Sequence, residues 1–164
     1  MSFPVDTALA EDTSPRKRRQ RVARVLLADT ALASRLALKS ILSTAGYAVS
    51  GAATAAEAVG KLDEGEYQLV LADLRAESED AGPRLLAYAR QKDFRPATAL
   101  IASDISETTG LPRQGSPQCG SQNSAIHISN ENVYHLLDRV AELISQRADR
   151  RIKRAFLKSR LMPD

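Results

Sequence analysis

The run YQLVLADL at residues 67–74 constrains this chain more than any other stretch. Four consecutive apolar residues, Leu69, Val70, Leu71 and Ala72, end abruptly on an acid, Asp73. An apolar run without alternation reads as a strand covered on both faces, which in a short chain is the middle of a parallel sheet. The acid then sits at the carboxyl edge of that strand, where open α/β sheets place ligands and chemistry. Taken alone, Asp73 reads more readily as a turn or cap residue, since Asp favours both. A second run, VLLA at 25–28, ends the same way on Asp29. Two strand-end carboxylates in one small domain point to a shared site.

Length and composition narrow the class. The chain of 164 residues, 43% hydrophobic, suits one domain with tails and suffices for a real core. Aromatic residues make up 4% and Trp is absent, so that core must be aliphatic. The lone Cys119 excludes an internal disulfide and a cysteine-based metal cluster, and fits a reducing compartment. No apolar run approaches the roughly 20 residues of a membrane span, and no hydrophobic signal core opens the chain. The expected location is cytoplasmic, with no membrane partner.

The net charge of +3 is unevenly spread. Residues 1–24 carry six basic and three acidic side chains, and residues 147–164 carry seven and two. The body between them is acidic, with ten basic and fifteen acidic side chains. Basic ends of this kind can meet phosphate backbones, anionic surfaces or the acidic body itself.

Residues 1–20 hold few large apolar side chains, two prolines and the cluster Arg16, Lys17, Arg18, Arg19, with Arg21 just after. Such a segment cannot bury enough to order itself, and reads as a disordered basic arm. A first strand is predicted over 22–28. Leu32, Leu36, Ile41, Leu42 and Ala45 then recur at helical spacing over 30–45, stopped by Gly46. A second strand is expected over 47–52. Thr54 with Glu57 forms a capping-box pattern that opens a short helix ending near Gly65. The third strand spans 68–72, a helix follows over 84–91, and a fourth strand over 98–102. Residues 103–124, rich in Gly, Ser, Pro and Gln, break the pattern, and long irregular segments in compact domains are functional or disordered. A fifth strand is expected over 125–128. The last helix starts near Asn130, carries Val133, Leu136, Leu137, Val140, Leu143 and Ile144, and continues its stripe through Ala148, Ile152, Ala155 and Phe156 amid many basic residues. Five strands alternating with helices give a doubly wound three-layer α/β domain.

Together these residues resemble the receiver domain of bacterial two-component response regulators, a flavodoxin-like fold, over roughly 23–146. The Gly46-Tyr47 pair, the Glu57-Ala58 helix and YQLVLADL fall in family register without a gap. The resemblance implies a five-stranded parallel sheet and makes Asp73 the candidate acceptor of a phosphoryl group from a histidine kinase. It also implies a Mg²⁺ site built from Asp29, Asp73 and the backbone carbonyl of Arg75, because hard Mg²⁺ takes carboxylates, a carbonyl and waters. Where the family carries a second acid after the first strand, this chain has Thr30, a poor ligand, so metal affinity should be weak or absent. The phosphate-reading hydroxyl of strand four should lie near Ile101 or Ala102, and the nearest hydroxyl is Ser103. The strand-five lysine falls at about Ser129. A lost cation removes a charge-assisted contact of about 1.5 to 3 kcal/mol. The helix between strands four and five should be lost or shortened, since 106–124 has poor helical potential. The expectation is a degenerate, atypical receiver.

Other residues carry plainer readings. His127 and His135 lack metal-ligand spacing, and surface or structural roles suit them better. Cys119 reads as an exposed loop residue. No GxGxxG or GxxxxGK pattern supports nucleotide binding, and no Ser/His/Asp or Cys/His set supports hydrolysis. The expected organisation is a disordered basic arm (1–22), a receiver-like domain (23–146) and a basic amphipathic helical extension (147–164). The expected function is that of a non-enzymatic signalling protein of a two-component phosphorelay, which meets a histidine kinase or another signalling protein. Pure scaffolding, with both acids as relics, is its plainer counterpart. The alternative is a nucleic-acid-binding module that uses the basic arm and last helix on a receiver scaffold. A second copy of the chain is a further candidate partner, through the Ile152, Ala155 and Phe156 seam.

Overall fold

The computed structural model describes residues 22–103, 124–128 and 133–160. In chain order these form β1 (Arg24–Asp29), α1 (Leu32–Thr44), β2 (Ala48–Ala52), α2 (Ala55–Glu64), β3 (Leu69–Asp73), α3 (Ala81–Gln91), β4 (Ala97–Ser103), β5 (Ser124–Ile128) and α4 (Val133–Arg160). All strand pairs are parallel, and the sheet order is β2-β1-β3-β4-β5. That order reverses between β1 and β3, the switch point of a flavodoxin-like sheet. The basic arm, the segment between β4 and β5, Ser129 and Cys119 lie outside the described residues.

The strands alternate their side chains between two layers, as the period of about two requires. Val25, Leu27, Leu69, Leu71, Ala99 and Ile101 face α1 and α4. Leu26, Ala28, Val70 and Ala72 face α2 and α3, together with Leu62, Leu85 and Leu86. The unbroken apolar runs in β1 and β3 therefore arise from burial on both faces. Leucine, valine and alanine supply most of this interior.

Three local expectations are corrected. In α1 the buried residues are Leu38 and Leu42, whereas Leu32 and Leu36 are 60% and 56% exposed. At 3.6 residues per turn Leu32 and Leu36 lie about 120° around the helix from the Leu38 and Leu42 line, so that pair faces away from the core. α3 begins at Ala81, three residues before the expected Arg84. Pro83 lies in the first turn, where its missing N–H would be unpaired in any case. Gly82 accounts for the early start, because a Cβ there would stand 2.9 Å from Leu100 Cδ2 of β4. A side chain there would force Leu100 to shift, and glycine lets this turn approach the sheet without that displacement.

The third correction concerns α4. Its body-facing line runs through Leu136, Val140, Leu143 and Arg147, all buried. Continued at about 3.6 residues per turn, that line meets Arg151, Arg154 and Lys158. Ile152 and Phe156, expected to prolong the stripe, fall on the opposite side and are 67% and 61% exposed. Every residue from 148 to 160 is exposed, so α4 leaves the body as an unsupported basic helix.

Candidate functional site

Asp29 and Asp73 are the last residues of β1 and β3 and are direct partners in the parallel register. They stand side by side at the switch point. The strands are central, hydrogen-bonded and buried, so the carboxylates rest on a rigid base. The Thr30 amide donates to the Asp73 carbonyl at 3.4 Å and ties the turn after β1 to the end of β3.

Their surroundings differ. Asp29 is 2% exposed. Its Oδ1 accepts from the Ala31 amide at 2.8 Å, a turn that leads into α1. Its backbone carbonyl accepts from Arg35 Nη1 at 2.5 Å. Its Oδ2 is buried and has no hydrogen-bond partner among the described residues. Leaving a charged oxygen in this state costs free energy unless something supplies compensating charge. The Asp73 side chain is 13% exposed, and its Oδ1 accepts from Arg75 Nε at 3.1 Å.

The rim comes from the next layer of loops. Glu77 Oε2 accepts from the Ala55 amide at 2.9 Å, which fastens the turn after β3 to the start of α2. At that helix start, Thr54 Oγ1 accepts from the Glu57 amide at 3.1 Å, and Glu57 Oε2 accepts from the Ala53 amide at 2.8 Å. The expected capping box is present, with the Glu reaching one residue further back than Thr54. The Ala53 amide, with help from Lys61 at 3.0 Å, holds the Glu57 carboxyl below its usual range.

The structure thus brings Asp29, Asp73 and Arg75 to one edge. Ile101 sits one step beyond Leu100, the partner of Ala72, and is 3% exposed within the core facing α1 and α4. Ser103 is the final residue of β4, paired with Ile128. His127 lies on β5 opposite Ala102, and His135 is exposed on α4. Sequence reasoning missed the roles of Arg35 and the Arg75 side chain. Arg35 lies six residues past the acid and reaches back from the first turn of α1. A basic residue two places after Asp73 was the available signal for the second.

The oxygen donors here are of the hard type that suits a divalent cation. Asp29 Oδ2, buried and without a partner among the described residues, and the adjacent Asp73 carboxylate fit such an ion. Thr30 contributes no charge, so the set is poorer than one with three carboxylates.

Among family models and curated proteins, none matches the chain. Solved structures do. A response regulator receiver protein from Sinorhizobium medicae WSM419 is 21% identical with a TM-score of 0.60, over 77% of this chain and 98% of that one. A CheY-like receiver domain protein from Methanospirillum hungatei JF-1 is 20% identical with a TM-score of 0.59, over 79% and 98%. The structure of the histidine kinase ThkA in complex with the response regulator TrrA gives 21% identity and a TM-score of 0.56, over 74% and 98%. With the sheet order, the central acids at the switch point and these likenesses in agreement, the fold of this chain is that of the response regulator receiver domains.

Proposed function

We propose that this chain is a receiver-like protein of a two-component pathway that acts through protein contacts, with Asp73 as a conditional phosphoacceptor. The observation that carries this reading is the pair Asp29 and Asp73 at the switch point, with Asp29 Oδ2 buried and unpaired. The described TrrA relative, solved with its kinase, supports a signalling protein as partner. In the transfer, an oxygen of Asp73 forms the new bond to phosphorus while the bond from phosphorus to the donor breaks, and the donor leaves with that electron pair. The chain accepts a group and turns over no substrate of its own.

Mg²⁺, when bound, would neutralise the crowded oxygens of this step. Asp29, Asp73 and the Arg75 carbonyl would hold it. Arg75 has a second task. Its guanidinium covers Asp73 at rest, and a phosphoryl group on Asp73 would offer it a better anion at the same place. It is positioned to supply positive charge that the family draws from a strand-five lysine.

The test is exposure to acetyl phosphate with Mg²⁺, read by intact mass, on the wild type and on Asp73→Asn. A phosphoryl adduct present in the first and absent in the second supports the reading. An unmodified wild type without Mg²⁺ binding would make the protein a phosphorylation-independent interaction module. The nucleic-acid alternative has its own supporting observation, an arginine-lined groove at the far end of the sheet.

A further inference from the structure

The amino edge of the sheet, opposite the carboxylate pair, carries a cavity of about 1090 Å³ between α4 and the turn that precedes β4. Six arginines line it: Arg90, Arg95, Arg147, Arg150, Arg151 and Arg154. Asp93 is the one acid among the described lining residues. Four of the cations lie in the basic run at the end of α4, and two come from the end of α3 and the turn before β4, so the charge run in the sequence announces only part of the set.

Two of the arginines are fixed in advance. Arg147 donates from Nε to the Arg95 carbonyl at 2.9 Å and from Nη2 to the Phe94 carbonyl at 2.5 Å. Arg90 Nε donates to Thr98 Oγ1 at 3.0 Å. Arg95, Arg150, Arg151 and Arg154 form no ion pair with an acid among the described residues. Burial, and then the field of Arg151, press the Arg147 guanidinium below its ordinary range, with Glu66 opposing. The groove therefore concentrates mutually repelling charge that an anion would relieve.

We propose that this arginine groove binds the phosphate backbone of a nucleic acid. It goes beyond the receiver reading and does not depend on it. Charge density favours this occupant. From Arg147 to Arg154, α4 advances about 10.5 Å. A duplex presents about one phosphate per 1.7 Å of axis, hence about six over that length. An extended acidic peptide offers about three side chains over the same span, alternating in direction. Arginine also matches phosphate in its planar, two-pronged geometry. A flat anionic membrane fits poorly, because the apolar Ile152 and Phe156 face away from the arginines that line the groove. α4 itself, about 10 to 12 Å across, has the width of a major groove.

The test is fluorescence anisotropy of the full chain with a labelled mixed-sequence duplex, measured from about 50 to 200 mM salt. Engagement of about four phosphates predicts a loss of affinity on the order of a hundredfold across that range. Replacing Arg150→Ala, Arg151→Ala and Arg154→Ala together should weaken binding more than tenfold and flatten the salt slope by about 2.7. These side chains are exposed, and circular dichroism checks that the variant remains folded. Lys153→Ala with Arg160→Ala, on the outer side of α4, should have little effect. The absence of a complex at low salt would overturn the proposal. So would equal losses in the two variants, loss only on Arg18→Ala with Arg19→Ala, or preferential binding of polyglutamate or of vesicles rich in phosphatidylserine. Acetyl phosphate labelling of Asp73 is read separately, so failure here leaves the receiver reading intact.

Discussion

Asp29 carries the sharpest residue-scale consequence. Its Oδ2 is buried without a partner among the described residues, beside a second carboxylate, so without metal it should destabilise the fold it belongs to. Asp29→Asn keeps the Oδ1 that caps the turn at Ala31 and removes the charge. We expect this variant to be more stable without metal by about 1 to 3 kcal/mol, or a few degrees in melting temperature. Mg²⁺ should raise the melting temperature of the wild type and leave that of Asp29→Asn unchanged. A less stable Asn variant would show that the oxygen has a partner. At Arg75, replacement by Ala should slow adduct formation from acetyl phosphate by about tenfold to a hundredfold, the worth of one charge-assisted hydrogen bond. Both acids were legible because an apolar run ending on an acid announces a strand end. The Arg75 contact had only a basic residue two places after Asp73 as its signal, since a side chain folded back over two residues leaves no periodic trace.

Among the elements, α4 and the turn before β4 depend on each other. Arg95 holds a backbone φ of +37°, uncommon outside glycine, and its carbonyl and that of Phe94 are met by Arg147. Arg147→Ala would leave both carbonyls without their donor and open space under the helix. A loss of about 2 to 3 kcal/mol in chemical denaturation is expected. α2 provides a pH signature. The folded-state Glu57 carboxyl is held low by the Ala53 amide, so its contribution is present above the ordinary carboxylate range. It fades as pH falls through the lowered value, and Glu57→Gln should remove that part of the acid dependence. Its solvent exposure keeps the effect below about 1 kcal/mol. The helix periods and the Thr54 start were readable in the sequence. The early start of α3 was not, because Pro83 reads as a breaker unless Gly82 is known to lie against Leu100.

Viewed whole, the molecule is a supported sheet with an unsupported helix end. Residues 148–160 touch no core, and a helix of this length is marginal in water by itself. Their amides should exchange with deuterium much faster than those of 136–146, and slow down when the groove is filled. The five strands alternating with helices were readable in the runs, which record burial on two faces, whereas their order was implied only by the receiver resemblance. The face that the end of α4 turns toward the body was misread, because a mixed apolar and basic helix shows its period without showing which face the sheet takes.

The parallel sheet also has an electrical consequence. All its strands point the same way, and its amino edge bears the arginines and its carboxyl edge the aspartates, separated by about 13 Å of β4. The molecule is in effect a permanent dipole. Such a charge separation would turn it arginine edge first in the field of a large polyanion. A copy held through the arginine groove would present Asp73 on the opposite edge, open to a further partner.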